Sequence, residues 1–227
     1  MKKESSQATY RVNLPIYEQE IERAIQLLQA PEESALPGNV ESVIRFCVDN
    51  EIAFVLSRNK KAFSCLDASR KRVRLGRMGI PLYDEFKSIV FLGVDDTLRE
   101  KVFFVHCRGD SKIDLEKLMT YCKLNREPVI MPKNELNTRF GMELGIVNPF
   151  LVEAQGNSEV LHVFDKSLLT PKQFFPGTMM TNAGGHTWGI EFDPLPLIDA
   201  VNRKIIADVA CSHDISTHDT VTVLMSA

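Results

Sequence analysis

The sequence predicts an α+β fold, a mixed β-sheet surrounded by helices. Three observations point there. Helical and strand-like segments are interspersed along most of the chain. Several neighbouring strands are joined by links of hairpin length, which a regular βαβ winding does not use. No internal repeat, low-complexity block, phosphate loop or dinucleotide glycine pattern interrupts that reading.

The segments follow in order. Residues 1–14 read as a loose arm. Pro15 opens a helix through residue 30, with Ile16, Ile21, Ile25 and Leu28 near one face and Pro suited to the first turn. "PEESALPG" is a linker by composition. Asn39 is placed to cap a helix over "VESVIRFCVDN", and "IAFVL" follows as a strand. Ser64 caps "CLDASRKRVRL", which Gly76 can end in a left-handed turn. Strands are expected at 86–92 and 101–107, with "GVDDTLRE" as the turn between them. Asp114 caps "LEKLMTYCKL"; "PVIM" is a short strand and "KNELNTRF" a short helix. After "GIVNPF" come strands at "VLHVFD", "GTMMTN" and "WGIEF", a helix at "PLIDAVN", and strands near 205–210 and 220–225.

The 227 residues, 44% of them hydrophobic, suffice for a substantial core and fit one domain with extensions. These are an N-terminal arm and helix (1–38), a main domain (39–203) and a C-terminal extension (204–227). The net charge of −3 gives no global pull toward nucleic acid or membrane, so local patches must carry any such argument. Five scattered cysteines without a Cys-x-x-Cys pair read as reduced thiols, and a cytoplasmic protein is expected. No secretory signal or 18-residue apolar run is seen, so no membrane partner is expected.

Lys87 stands inside the apolar run "DEFKSIVF". A buried ammonium is costly without a partner. Either it snorkels to water from a strand end, or it points into a pocket and holds an anion or carbonyl. In "GIVNPF", Gly145 permits positive φ, while Pro149 pushes Asn148 to an extended conformation. Such a loop can be an ordinary turn or can aim backbone groups at a ligand. "TNAGGHTWGIEF" places two glycines beside His186, Trp188 and Glu191, either as a glycine-rich hairpin packed on the core or as part of a site. From Arg58 to Arg77, eight basic residues face a single acidic one, Asp67. That is either a solvated face or a phosphate-binding surface. The Cys, His and Asp residues of "CSHDISTHD" match no zinc spacing, and no metal or cofactor is expected.

Four stretches occur in the order of a known family. "SCLDASRKRVRLGRMGIPLYDEFKSIVFLGVDD", "VFFVHCRGDSKIDLEKL", "LGIVNPF" and "NAGGHTWGIEF" together resemble the YbaK and prolyl-tRNA editing domains, which are aminoacyl-tRNA deacylases. The resemblance spans about residues 40–200. It implies a partly barrel-like sheet and hydrolysis in trans of the ester of mischarged tRNA. Lys87 takes the place of the family's pocket lysine, and Ser88 that of the neighbouring hydroxyl. Gly145, Ile146, Val147, Asn148 and Pro149 take the place of the loop that binds the terminal adenosine and aminoacyl ester. Asn182, Gly184, Gly185 and His186 fall on the glycine segment, and Glu191 near the family's acidic strand residue. Water would be activated by backbone groups and the substrate's 2′-hydroxyl, since no Ser-His-Asp arrangement is visible. The implied partners are the aminoacylated 3′ end of tRNA and an aminoacyl-tRNA synthetase. Arg70, Lys71, Arg72 and Arg74 are then the expected tRNA phosphate contacts. The alternative is a non-catalytic pocket that binds an aminoacyl group, an amino acid or a protein partner.

Overall fold

The computed structural model describes residue 26 and residues 36–74, 77–157, 159–170 and 177–212. Apart from Gln26, the expected N-terminal helix lies outside the described residues. So do Gly76, the strand near 220–225 and most of the Cys211–Asp219 stretch. The elements are α1 (Gly38–Asp49), β1 (Phe54–Arg58), α2 (Cys65–Lys71), β2 (Val73–Arg74), β3 (Arg77–Met78), β4 (Phe86–Val94), β5 (Glu100–Arg108), β6 (Ser111–Ile113), α3 (Leu115–Cys122), β7 (Val129–Ile130), α4 (Lys133–Phe140), α5 (Pro149–Ala154), β8 (Leu161–Asp165), β9 (Met179–Gly185), β10 (Trp188–Phe192), α6 (Pro194–Ala200), β11 (Lys204–Ala207) and β12 (Ala210–Ser212).

The α+β expectation holds. The largest sheet has the order β11-β8-β5-β4-β7 and is mixed: β4 is antiparallel to β5 and β7, while β5, β8 and β11 run parallel. A second, antiparallel sheet has the order β1-β10-β9. Both sheets are open among the described residues.

Local chemistry accounts for most boundaries. Ser64 accepts from the Asp67 amide and starts α2; Asp114 accepts from the Lys117 amide and starts α3. In α1, Val40, Val43, Ile44 and Cys47 recur on one face and are fully buried. That helix begins after Pro37, so Asn39 lies inside it rather than capping it. A β-carbon on Gly184 (φ +82°) would come 2.8 Å from the Asn39 carbonyl oxygen, so glycine lets α1 sit directly on β9. One expectation shortens. The helix after Ser64 stops at Lys71, and Val73–Arg74 pairs with Arg77–Met78 as the ribbon β2-β3. Arg72 and Arg74 are drawn away into ion pairs inside the fold.

Strand alternation divides the large sheet into two faces. One face carries Phe86, Val90, Phe104 and Phe164 and packs against α1, α4, α5 and the second sheet. The other carries Phe91, Phe103, Val105 and Val163 and packs against Leu118 of α3, Leu124 and Val209. Burying a phenylalanine contributes about 2–3 kcal/mol. Phe54, Phe104, Phe150, Phe164 and Phe192 make the first face the heavier one.

Candidate active site

The site begins at a strand edge. β4 is held on its far edge at two points. β7 pairs with Phe91 and Leu92, next to a bond from the Met131 amide to the Val90 carbonyl. At the other end, Glu85 bridges to Met180 of β9. Between them, the edge from Phe86 to Ile89 has no strand partner among the described residues. Lys87 and Ser88 stand on that edge and point to opposite faces. Ser88 shares its face with Phe86 and Val90, and Lys87 shares its face with Ile89 and Phe91.

Past Met180 the chain turns toward the 145–149 loop. Asn182 Nδ2 donates to the Val147 carbonyl (3.3 Å), and Asn148 Nδ2 donates to Asn182 Oδ1 (2.8 Å). Asn182 Oδ1 also accepts from the Gly184 amide (3.1 Å). Asn148 is fully buried and extended (φ −155°, ψ 156°), as the following proline requires. Its Oδ1 accepts from the Leu151 amide (2.8 Å) and so starts α5. Gly145 has φ +88°. His186 lies beside Gly145, with its Nε2 3.0 Å from Glu143 Oε2, and that contact holds the Glu143 carboxyl below its usual range. The structure thus brings the predicted Gly145–Pro149 and Asn182–His186 stretches together. Among the described residues the amides of Gly145, Val147 and Asn148 have no hydrogen-bond acceptor. Buried amides at Val147 and Asn148 are the donors a ligand oxygen would satisfy.

Other predicted residues sit elsewhere. The Lys87 ammonium donates to the Ser111 carbonyl, on the sheet face away from Val147 and Phe150. An ammonium has three donors, so this bond leaves others for a ligand. Lys87 also lies close to Cys65 and Cys107; burial pushes the Cys107 thiol up to about 12, against the pull of Lys87. Glu191 is buried behind β10. Its Oε1 accepts from Thr178 Oγ1 (2.6 Å) and lies 2.9 Å from Arg74 Nε.

The basic stretch divides. Arg72 makes a two-pronged contact with Glu85 (2.8 and 3.2 Å), and both side chains are buried. Arg74 binds Asp84 (2.6 Å), Glu191 and the Thr178 carbonyl (3.2 Å). These two guanidinia are therefore internal and do not form the outward surface expected of phosphate contacts. Lys71 pairs with Asp67 and the Lys61 carbonyl, while Arg70 and Arg77 are exposed.

One constellation was missed from the sequence. Ser88 Oγ lies 2.9 Å from His106 Nδ1, and His106 Nε2 lies 2.9 Å from His162 Nδ1. His162 Nε2 lies 3.2 Å from Glu153 Oε1, a contact bent away from a straight hydrogen bond. Both histidines are fully buried. Their rings are nearly coplanar (13°) and meet edge to edge. Burial, and then the neighbouring His162, hold His106 well below the ordinary imidazole value. Burial opposes ionisation of Glu153, yet His162 and Asn202 outweigh it and keep its carboxyl below the usual range. The legible signal was the hairpin. Its register pairs Ser88 with His106, whereas His162 and Glu153 arrive from distant segments.

Residues 76–183 match the family model of the aminoacyl-tRNA editing domain. The resemblance read from the sequence is borne out there: residues 76–183 carry the match to that family. Solved structures share the fold. The crystal structure of hypothetical protein APE2540 is 19% identical, with a TM-score of 0.59, over 75% of this chain and 100% of that one. The crystal structure of a proposed trans-editing enzyme for prolyl tRNA synthetase is 16% identical, with a TM-score of 0.55, over 77% of this chain and 98% of that one. A scaffold protein used for epitope backbone grafting is 13% identical, with a TM-score of 0.56, over 77% and 97%. No curated protein matches the chain. Among the described residues no helix is long and apolar enough to cross a membrane. No group of three or more His, Cys, Asp or Glu residues there is placed to hold a metal.

Proposed function

We propose that the chain hydrolyses, in trans, the ester that joins an amino acid to the wrong tRNA. The reading rests on one convergence. Within a stretch of the editing-domain family, the 145–149 loop is clasped to Asn182 and His186 beside the unpaired edge of β4. In this reading the aminoacylated 3′ end enters along that edge. The free amides of Val147 and Asn148 hold the carbonyl oxygen as charge develops on it, a role in which fixed backbone donors are effective. Lys87 exchanges part of its hold on Ser111 for an oxygen of the substrate. Asn148 and Asn182 fix the loop rather than touch the substrate with free amide groups. The tRNA body meets Arg70, Lys71 and Arg77.

The test is a deacylation screen of the full chain over a panel of mischarged tRNAs. At least one should lose its amino acid well above the spontaneous rate. Saturable binding of an aminoacyl-tRNA without turnover would favour the non-catalytic pocket, and neither binding nor turnover across the panel would sink the editing reading. Changing Arg70 and Arg77 to Ala should flatten the salt dependence of tRNA binding, since a phosphate that no arginine neutralises keeps its counterions.

A further inference from the structure

Arg58 and Trp188 take no part in the function just proposed, yet they stand beside its loop. The register of the second sheet sets Phe54 against Phe192, Leu56 against Ile190 and Arg58 against Trp188. These pairs share one face, because strand residues two apart point the same way. Phe54, Ile190 and Phe192 are sealed in the core, and Leu56 and Trp188 pack against it. Arg58 is exposed and Trp188 half-buried, so this pair is where the core-facing side of the sheet reaches solvent. The hairpin tip brings the pair to the loop. Gly185 pairs with Trp188, which leaves His186 and Thr187 as a two-residue turn. His186 lies against Gly145, and the Thr187 carbonyl accepts from the Asn59 amide (2.9 Å), which ties the turn to the residue after Arg58. The Glu143 carboxyl is lowered chiefly by His186, then by Lys133 and Lys61, so the start of the basic stretch is within electrostatic reach of the loop.

Arg58 is held as a flat plate. Its Cζ lies 4.4 Å from the centre of the Trp188 ring, well inside the range of cation–π attraction. A β-carbon on Gly185 would come 3.3 Å from Trp188 Cδ1, so glycine leaves the indole room to lie close on the hairpin. Two other exposed arginines are taken up by carboxylates: Arg45 by Glu41, and Arg139 by Glu100 and Glu135. Arg58 has no carboxylate partner among the described residues. A surface arginine gives up rotamer freedom when it binds a ligand, and one already laid on an indole gives up less. A guanidinium with one face on an aromatic ring and its charge unpaired is a surface on which a nucleobase stacks.

We infer that Arg58, seated on Trp188, is the platform on which the terminal adenine of the aminoacylated 3′ end stacks, while the 145–149 loop holds the acylated ribose. The inference rests on the proposed editing reaction for its ligand. Base and ester hang from one ribose, so the base site must lie a single sugar away from the ester site. The tip that sets His186 against Gly145 carries Trp188 two residues on, which meets that requirement. A purine offers the plate the larger ring area. The unpaired charge of Arg58, followed by the exposed Lys60 and Lys61, suits the phosphate that precedes the base.

Binding of two RNA hairpins to the full chain tests this without any turnover. One ends in an unpaired cytidine-cytidine-adenosine tail, and the other lacks only the adenosine. Wild type should bind the complete hairpin about tenfold more tightly, the scale of one base stacked on a planar side chain. Arg58→Lys keeps the charge and loses the plane, and should bind both hairpins alike. So should Trp188→Leu, which unseats the guanidinium. Trp188 is the only tryptophan of the chain, so its emission should respond to the complete hairpin and not to the shortened one. Full discrimination by Arg58→Lys would overturn the platform, as would equal binding of both hairpins by wild type. A loss in Arg58→Lys that is the same for both hairpins would also overturn it, because Arg58 would then be a phosphate contact. The editing reading is judged separately. Discrimination through Arg58 with no tRNA deacylated anywhere on the panel supports the platform and sinks the editing reaction. Deacylation on the panel with discrimination intact in Arg58→Lys does the reverse. Arg58 is exposed, so Arg58→Lys should melt with wild type, and Trp188→Leu is read from the ratio of the two affinities, which partial unfolding lowers equally.

Discussion

Replacing Arg74 by Ala separates an internal ion network from a tRNA-binding surface. The guanidinium lies 2.6 Å from Asp84 Oδ2 and 2.9 Å from Glu191 Oε1, and donates to the Thr178 carbonyl at 3.2 Å. The side chains are 10% exposed for Arg74, 4% for Asp84 and 8% for Glu191, so water screens little of the interaction. Truncation leaves two buried carboxylates without their shared cation. Removing one partner of a buried pair costs about 3–5 kcal/mol. For a domain of this size each kcal/mol moves the melting temperature by about 2–4 °C, so a fall of roughly 6–20 °C is expected. Arg70→Ala, at an exposed position, should move it by less than about 2 °C. Thermal melts of the two variants beside wild type decide the matter. A melting temperature for Arg74→Ala within about 2 °C of wild type, together with weakened and less salt-sensitive tRNA binding, would refute the argument and return Arg74 to the surface.

Three further outcomes follow from the same structure. Stability should fall as pH drops below about 6.5, because His106 is kept neutral in the fold and takes up a proton only on unfolding. Its folded pKa is lowered, so the loss sets in at the unfolded value and grows by about 1.4 kcal/mol per pH unit until the folded value is reached. Melts at pH 7.5 and 5.5 would show it, and a flat profile would contradict the buried neutral ring. Asn148→Ala removes the start of α5 and the clasp to Asn182, at a cost of about 1–3 kcal/mol. It should raise KM for aminoacyl-tRNA beyond what lost stability explains, and unchanged kinetics would take the loop out of the site. Lys87→Ala should abolish deacylation with little change in melting temperature; a large drop in melting temperature with activity retained would make the bond to Ser111 its whole purpose.

Much of this molecule was legible along the chain. Alternating apolar residues and a polar turn gave the β4-β5 hairpin, and with it the register that sets Ser88 against His106. Ser64 and Asp114 marked helix starts because a side-chain oxygen three residues before a free amide acts locally. Gly145 and Pro149 announced a positive φ and an extended Asn148 for the same reason. Four stretches in a fixed order pointed to the family whose model residues 76–183 match. The tertiary structure alone decided where charges and imidazoles find partners. Arg72 and Arg74 read as surface cations because Asp67 was their only acidic neighbour in sequence, yet Glu85, Asp84 and Glu191 reach them through folding. His162 and Glu153 joined His106 only once β8 had aligned with β5 and α5 had packed over the sheet. Hydrogen bonds within a turn are set by covalent spacing. Ion pairs and relays between distant segments are set by which faces the hydrophobic core brings together, and no local pattern records that.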